Sequence, residues 1–379
     1  MTSKLPLRDF ALLFALLAIC LFFTVKVPDL GFVSARNLSL LMIDFAITAT
    51  LAVGMLLVLL PGHIDLSAGS GVGLIGGISA VLVAHHGWPV PVAMAAGVAA
   101  GLLLWFSMGN LIVRQRIPAF IITLGGMLVF KGLFWLVIQN RTVPIVIGGQ
   151  SNLYSLLTTY YLPPSAGYLL AALLMTSMSL SQVRGNLRRR LHGLPTDDAE
   201  FTFMKLFIAA QLLFLFVIVT NQFRGIPLPV LILGIIAFTV HLLTRHTPFG
   251  RYLYAIGGNE EAAIISGIPV RSVTIGAFTI MGAIVAITGL MQTAYSGAST
   301  TTIGDLMELD AVAACVIGGV SLKGGRGTLL GVLFGALIMA CLLNGMTLLA
   351  VEPEKKFIAR GLVLILAVWM DQRQQRHAG

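Results

Sequence analysis

Long apolar runs alternate along this chain with short interruptions carrying Gly, Pro or charge, and the spacing predicts membrane-length helices. Twelve spans are expected, near 9–25, 40–60, 66–84, 89–113, 119–138, 166–183, 204–221, 227–244, 272–294, 308–322, 327–349 and 357–371. The fold class is therefore an all-α polytopic membrane protein forming a single domain over residues 1–379. The longest polar break in the second half is 245–271, RHTPFGRYLYAIGGNEEAAIISGIPVR, held between LPVLILGIIAFTVHLL and VTIGAFTIMGAIVAITGLM. Within it Thr247 and Pro248 close the preceding helix, Phe249 and Tyr252 offer apolar surface, and Gly257 and Gly258 allow a tight turn. Asn259 is placed to cap a short helix opening Glu260, Glu261, Ala262, Ala263, stopped by Gly267 with Pro269 beyond. Such an element has the size that fits a cleft on a soluble partner. The alternative, a helix lying on lipid, suits two acids and no lysine poorly.

Charge then sets the orientation. With the N-terminus inside, sixteen basic residues fall on cytoplasmic ends and loops and seven outside, so both termini are expected in the cytoplasm. Arg245, Arg251 and Arg271 put the 245–271 loop on that same side. The net charge of +9 is explained by this topology; there is no clustered basic stripe with stacking aromatics, so nucleic acid is not an expected partner. A composition of 57% hydrophobic and 10% charged residues, with a mean hydropathy of +0.95, excludes an ordinary soluble domain. The first run follows Lys4 and Arg8 as a signal peptide would, but it lacks a small-residue cleavage site and reads as a retained helix. Segment 140–165 is expected to be the largest outer loop, either a landing place for a receptor or a simple closure. A hairpin over 166–221 follows, whose tip RGNLRRRLHGLPTDDAE is expected to lie near anionic lipid headgroups.

Two polar, glycine-rich breaks resemble one another: LLPGHIDLSAGSGVGLIGG at 59–77 and MQTAYSGASTTTIGDLMELDAVAACVIGG at 291–319. They lie on opposite sides of the membrane, as an inverted repeat would leave them, and such breaks point to a substrate path. Asp65, Ser67 and Ser70 in the first, Ser296 and Ser299 in the second, and Lys131 within the fifth span are the candidate path residues. Asp65 can also cap the third helix, and Glu308 and Asp310 the tenth. Lys131 can snorkel, pair with an acid such as Asp44, or face water. No chain of intramembrane acids and histidines is present, which disfavours an ion-coupled carrier. The scattered Cys20, Cys315 and Cys341 and the adjacent His85 and His86 make no metal site, no cofactor is expected, and no catalytic constellation emerges. The chain has no GxxxxGK[ST] run, so ATP, if it supplies the energy, is hydrolysed by another polypeptide.

Four segments in order resemble the permease subunits of bacterial ABC importers for ribose, xylose and similar monosaccharides: HIDLSAGS at 63–70, PAFIITLGGMLVFKGL at 118–133, TPFGRYLYAIGGNEEAAIISGI at 247–268 and ELDAVAACVIGGVSLKGGRGTLLGVLFGALIM at 308–339. The extra hairpin and the ending GLVLILAVWMD look most like the xylose-type members. The resemblance implies a ten-helix core plus the hairpin, a homodimer in the bacterial inner membrane, a separate ABC ATPase on the cytoplasmic side and a periplasmic sugar-binding protein outside. It implies that the coupling element holds Phe249, Gly250, Arg251, Tyr254, Gly257, Asn259, Glu260, Glu261, Ala262, Ser266 and Gly267. It also implies a non-catalytic permease carrying a pentose such as xylose. The competing class is a secondary sugar carrier or facilitator working without an ATPase.

Overall fold

A computed structural model describes residues 7–146, 148–196 and 198–378. Lys4, used above to orient the chain, and Asp197 in the hairpin tip lie outside the described residues. Fifteen α-helices are described: α1 (Leu7–Lys26), α2 (Ala35–Leu59), α3 (Ala68–Ala84), α4 (Val90–Gln115), α5 (Ala119–Ile138), α6 (Leu153–Thr159), α7 (Pro164–Leu191), α8 (Ala199–Asn221), α9 (Leu228–His246), α10 (Pro248–Gly258), α11 (Glu260–Ile265), α12 (Val270–Ser296), α13 (Met307–Ile317), α14 (Leu329–Leu348) and α15 (Pro353–Ala378). A 3-10 turn, Pro28–Val33, joins α1 to α2. Two-residue strands β1 (Val143–Pro144) and β2 (Ala298–Ser299) pair antiparallel.

Eight of these helices, α2, α4, α5, α7, α8, α9, α12 and α14, are long and apolar enough to cross a bilayer. Every expected span falls on a helix, but two of them are short. α3 has 17 residues and rises about 26 Å, and α13 has 11 and rises about 16 Å, against a hydrocarbon thickness of about 30 Å. Both follow the polar breaks, and neither is long enough by itself to cross that thickness.

The core is built on α2, which is apolar on all sides and buried along nearly its whole length from Ile43 to Leu60. α9, α12, α13 and α14 pack around it. α3, with glycines at 69, 71, 73, 76 and 77, is enclosed by α4, α5 and α12. The α7–α8 hairpin packs chiefly on itself, meets the rest through a small cluster of Ala171, Val217 and Ile226, and exposes Leu173, Phe207 and Leu212, as a lipid-facing element does.

Small residues set how closely the helices approach. A Cβ on Gly282 of α12 would lie 2.5 Å from the Gly101 carbonyl oxygen and 2.6 Å from Trp105 Cβ, both on α4. Gly282→Val is therefore expected to cost about 1–3 kcal/mol through overpacking and to lower the melting midpoint in detergent. Gly234→Val on α9, where an added Cβ meets nothing within 4 Å, is expected to leave the midpoint in place.

Candidate functional site

The two breaks meet. After Leu60 the chain turns at Gly62 (φ +88°), where the His63 N–H donates to the Val58 carbonyl at 3.1 Å, and then runs without regular structure to α3. Asp65 is fully buried and every oxygen is engaged: Oδ1 accepts from Ser67 N at 2.9 Å and Ser67 Oγ at 2.6 Å, and Oδ2 accepts from Trp105 Nε1 at 2.6 Å. Thr123 Oγ1 on α5 donates to the Ile64 carbonyl at 3.1 Å, so the irregular backbone is satisfied by protein. The second break, 297–306, turns at Gly297, Gly304 and Leu306, all with positive φ. It lies directly on the start of α3. A Cβ on Gly69 would overlap the Glu308 carboxylate and lie 2.5 Å from the Gly304 carbonyl oxygen, and one on Gly73 would lie 2.5 Å from that of Ile303.

This contact places the expected path residues. Asp65, Ser67 and Ser70 cluster on the first break and are all buried. Asp65 braces the turn ahead of α3 and holds α4 instead of capping the helix through later N–H groups, because Ser67 occupies the cap position. Lys131 pairs with Asp305 of the second break and donates to the Thr301 carbonyl at 2.8 Å; Asp44 bonds the Tyr295 hydroxyl instead. Ser296 is exposed at the end of α12, while Ser299 is buried in β2 with no hydrogen-bond partner for its Oγ among the described residues. Glu308 and Asp310 sit in the first turn of α13, and Asp310 is tied to Arg360 of α15 at 3.3 Å. Trp105, Asp305, Thr123 and Arg360 were not singled out by sequence. Each acts through a partner at least 40 positions away, which no local pattern records.

Beside the start of the first break, the 245–271 loop forms two helices, α10 and α11. Thr247 Oγ1 caps α10 by accepting from Gly250 N, and Asn259 Oδ1 caps α11 by accepting from Ala262 N at 2.9 Å. Gly267 follows with φ +78°. Phe249 packs its ring against Gly276 of α12, and Tyr254 donates its hydroxyl to the Gly327 carbonyl at 2.9 Å. Gly257 lies in the last turn of α10. The need for glycine there comes from close approach, since a Cβ would overlap the Leu60 carbonyl and the Gly325 backbone. Arg251, Glu260, Glu261, Ala262, Ser266 and Gly267 are exposed, and so are Ile264 and Ile265, the latter 87%. α11 thus offers an acidic and apolar surface of its own.

Between α11 and the first break lies a cavity of about 1040 Å³. Its walls are His63 and Ile64 of the break, Arg116 and Phe120 at the α4–α5 turn, Glu260 and Ile264 of α11, and Arg271 of α12. Displacement of α11 therefore changes a space bounded by the segment that carries Asp65. No group of three or more metal-ligating side chains is found among the described residues.

Residues 37–368 match the family described as branched-chain amino acid transport system / permease component. The chain is 40% identical over 376 residues to the xylose transport system permease protein XylH of Escherichia coli K12, covering 99% of this chain and 94% of that one. It is 38% identical over 379 residues to XylH of Haemophilus influenzae, covering 99% and 98%. It is 31% identical over 373 residues to the ribose import permease protein RbsC of Escherichia coli K12, covering 98% and 96%. No solved structure matches the chain.

One outcome is expected from this geometry. Trp105→Phe removes a donor from a buried carboxylate and should destabilise by about 1–3 kcal/mol. The added cost should largely vanish in an Asp65→Ala background, as a double-mutant melting series would measure.

Proposed function

The chain belongs to the permease-component family of branched-chain amino acid transport systems, and from that premise we propose that it forms the translocation path of an ATP-driven importer for a monosaccharide, a pentose such as xylose. The full-length likeness to xylose and ribose permeases favours a sugar over the amino acids in the family's name. The observation that carries the mechanism is the position of α11, exposed on one side and forming a wall of the cavity that the first break bounds on the other.

In this reading a separate ABC ATPase seats against α10 and α11, using Arg251, Glu260, Glu261, Ala262, Ser266 and Gly267 together with Ile264 and Ile265. Phe249, Gly250, Tyr254, Gly257 and Asn259 hold that element to α12, α9, the 324–327 turn and Leu60, so its movement is passed inward. The bonds Gly325 N to Leu60 O at 2.9 Å and Tyr254 to Gly327 supply the junction. The path runs along the meeting of the two breaks, where Gly69 and Gly73 of α3 lie against Gly304 and Ile303. Orientation follows the positive charges, with the termini and the coupling loop in the cytoplasm of a bacterial inner membrane. A second copy completes the path, a periplasmic sugar-binding protein delivers substrate, and the α7–α8 hairpin adds two spans to a ten-helix core for a total of twelve.

The permease itself performs no chemistry. Its task is to bind sugar weakly and to expose the path to each side in turn, with the free energy supplied by closure of the ATPase pair.

Glu261→Arg reverses the charge of the docking face, and Gly267→Leu places a side chain at φ +78°, where only glycine is comfortable. Each is expected to reduce uptake roughly tenfold or more, the effect of losing about 1.4 kcal/mol or more of coupling contact. ATP hydrolysis by the reconstituted complex and membrane insertion should persist. Normal uptake in both variants would refute docking at this element.

A further inference from the structure

At membrane depth, on the side away from the coupling loop, the described structure exposes a polar patch. Lys131 is the thirteenth residue of α5, about 10 Å from the end of that helix. Its side chain is 21% exposed and that of its ion-pair partner Asp305 is 46% exposed. Trp135, one turn further along, is 43% exposed and donates its indole N–H to the Thr301 carbonyl at 3.3 Å. The Thr300 and Thr302 hydroxyls stand 3.2 Å apart and exposed. A charged pair and two exposed hydroxyls facing lipid at this depth would be unfavourable. The patch is therefore suited to water and solute.

Its chemistry is specific. The Asp305 carboxylate accepts hydroxyl protons, the Lys131 ammonium and the threonine hydroxyls donate to ring and hydroxyl oxygens, and the exposed indole of Trp135 covers the apolar C–H face of a pyranose. An amino acid would bring two opposite charges to a pair already neutralised within itself. We propose that Lys131, Trp135, Thr300, Thr302 and Asp305 form a sugar-contacting entry site on the non-cytoplasmic side of the path. This rests on the transport reading above. The sugar enters beside the second break, and its hydroxyls compete for the Lys131–Asp305 pair, which otherwise pins that break to α5.

The test is thiol accessibility. Thr302→Cys is labelled in right-side-out membrane vesicles with a charged, membrane-impermeant methanethiosulfonate, with the unsubstituted chain as background and xylose uptake measured in the same vesicles. Rapid labelling is expected, slowed at least severalfold by saturating xylose or ribose and unchanged by leucine. Asp305→Asn in the Thr302→Cys chain should raise the sugar concentration for half-protection roughly tenfold, a shift of about 1.4 kcal/mol. No labelling, labelling that neither sugar slows, or protection by leucine in place of sugar overturns the site whether or not uptake occurs. Protection by sugar with uptake absent would support the site and overturn the transport reading alone.

Discussion

Backbone that is not helical at membrane depth has to find its hydrogen-bond partners within the protein, and that requirement organises this molecule. Two interrupted stretches, 60–67 and 297–306, close upon each other where α3 begins. Glycine at 69, 73 and 304 removes the side chains that would hold them apart. Asp65, Trp105 and Thr123 satisfy the first break, while Lys131 and Trp135 hold the second against α5. Both breaks are thereby held by side chains, which can exchange partners, alongside the two-residue β1–β2 ladder at Ala298–Ser299. A segment held in this way can take two arrangements at modest free-energy cost.

The remaining architecture connects that junction to a surface. α2 is the central member, buried along most of its length, and the carbonyl of Leu60, the residue that follows it, meets both Gly257 of α10 and the N–H of Gly325. α11 stands outside this junction, faces the exterior with Ile264, Ile265 and two glutamates, and borders the cavity that reaches His63 and Ile64. A force applied at α11 thus has two contiguous routes to the first break, through packed backbone at Leu60 and through the cavity wall. The α7–α8 hairpin takes no part in either route, consistent with its lipid-facing surface.

Much of this was legible in the chain. Apolar runs located the helices, the paired glycine-rich breaks were found as breaks, Asn259 caps α11 and Gly267 follows its end as expected, and Thr247, expected to close α9, does so and also caps α10. What was not legible depends on distance along the chain. Lys131 finds Asp305 across 174 positions and Asp65 finds Trp105 across 40; Asp310 finds Arg360 on the last helix. Periodicity reports which face is buried and says nothing of the partner that buries it. Gly257 illustrates the same limit, since a glycine needed for close approach and one needed for a turn look alike in sequence. The 308–322 run is apolar enough to suggest a full span, yet its helix stops after Ile317, where Gly318 and Gly319 let the chain turn against α14.

The most direct measurement is import of labelled xylose into proteoliposomes containing this chain alone, the chain with its ATPase and binding protein, and the full set with ATP withheld. A permease with no nucleotide site, whose breaks are closed by internal contacts, is predicted to import only when all partners and ATP are present. Sustained uptake by the chain alone, with or without an ion gradient, would contradict this and identify a carrier that works by itself.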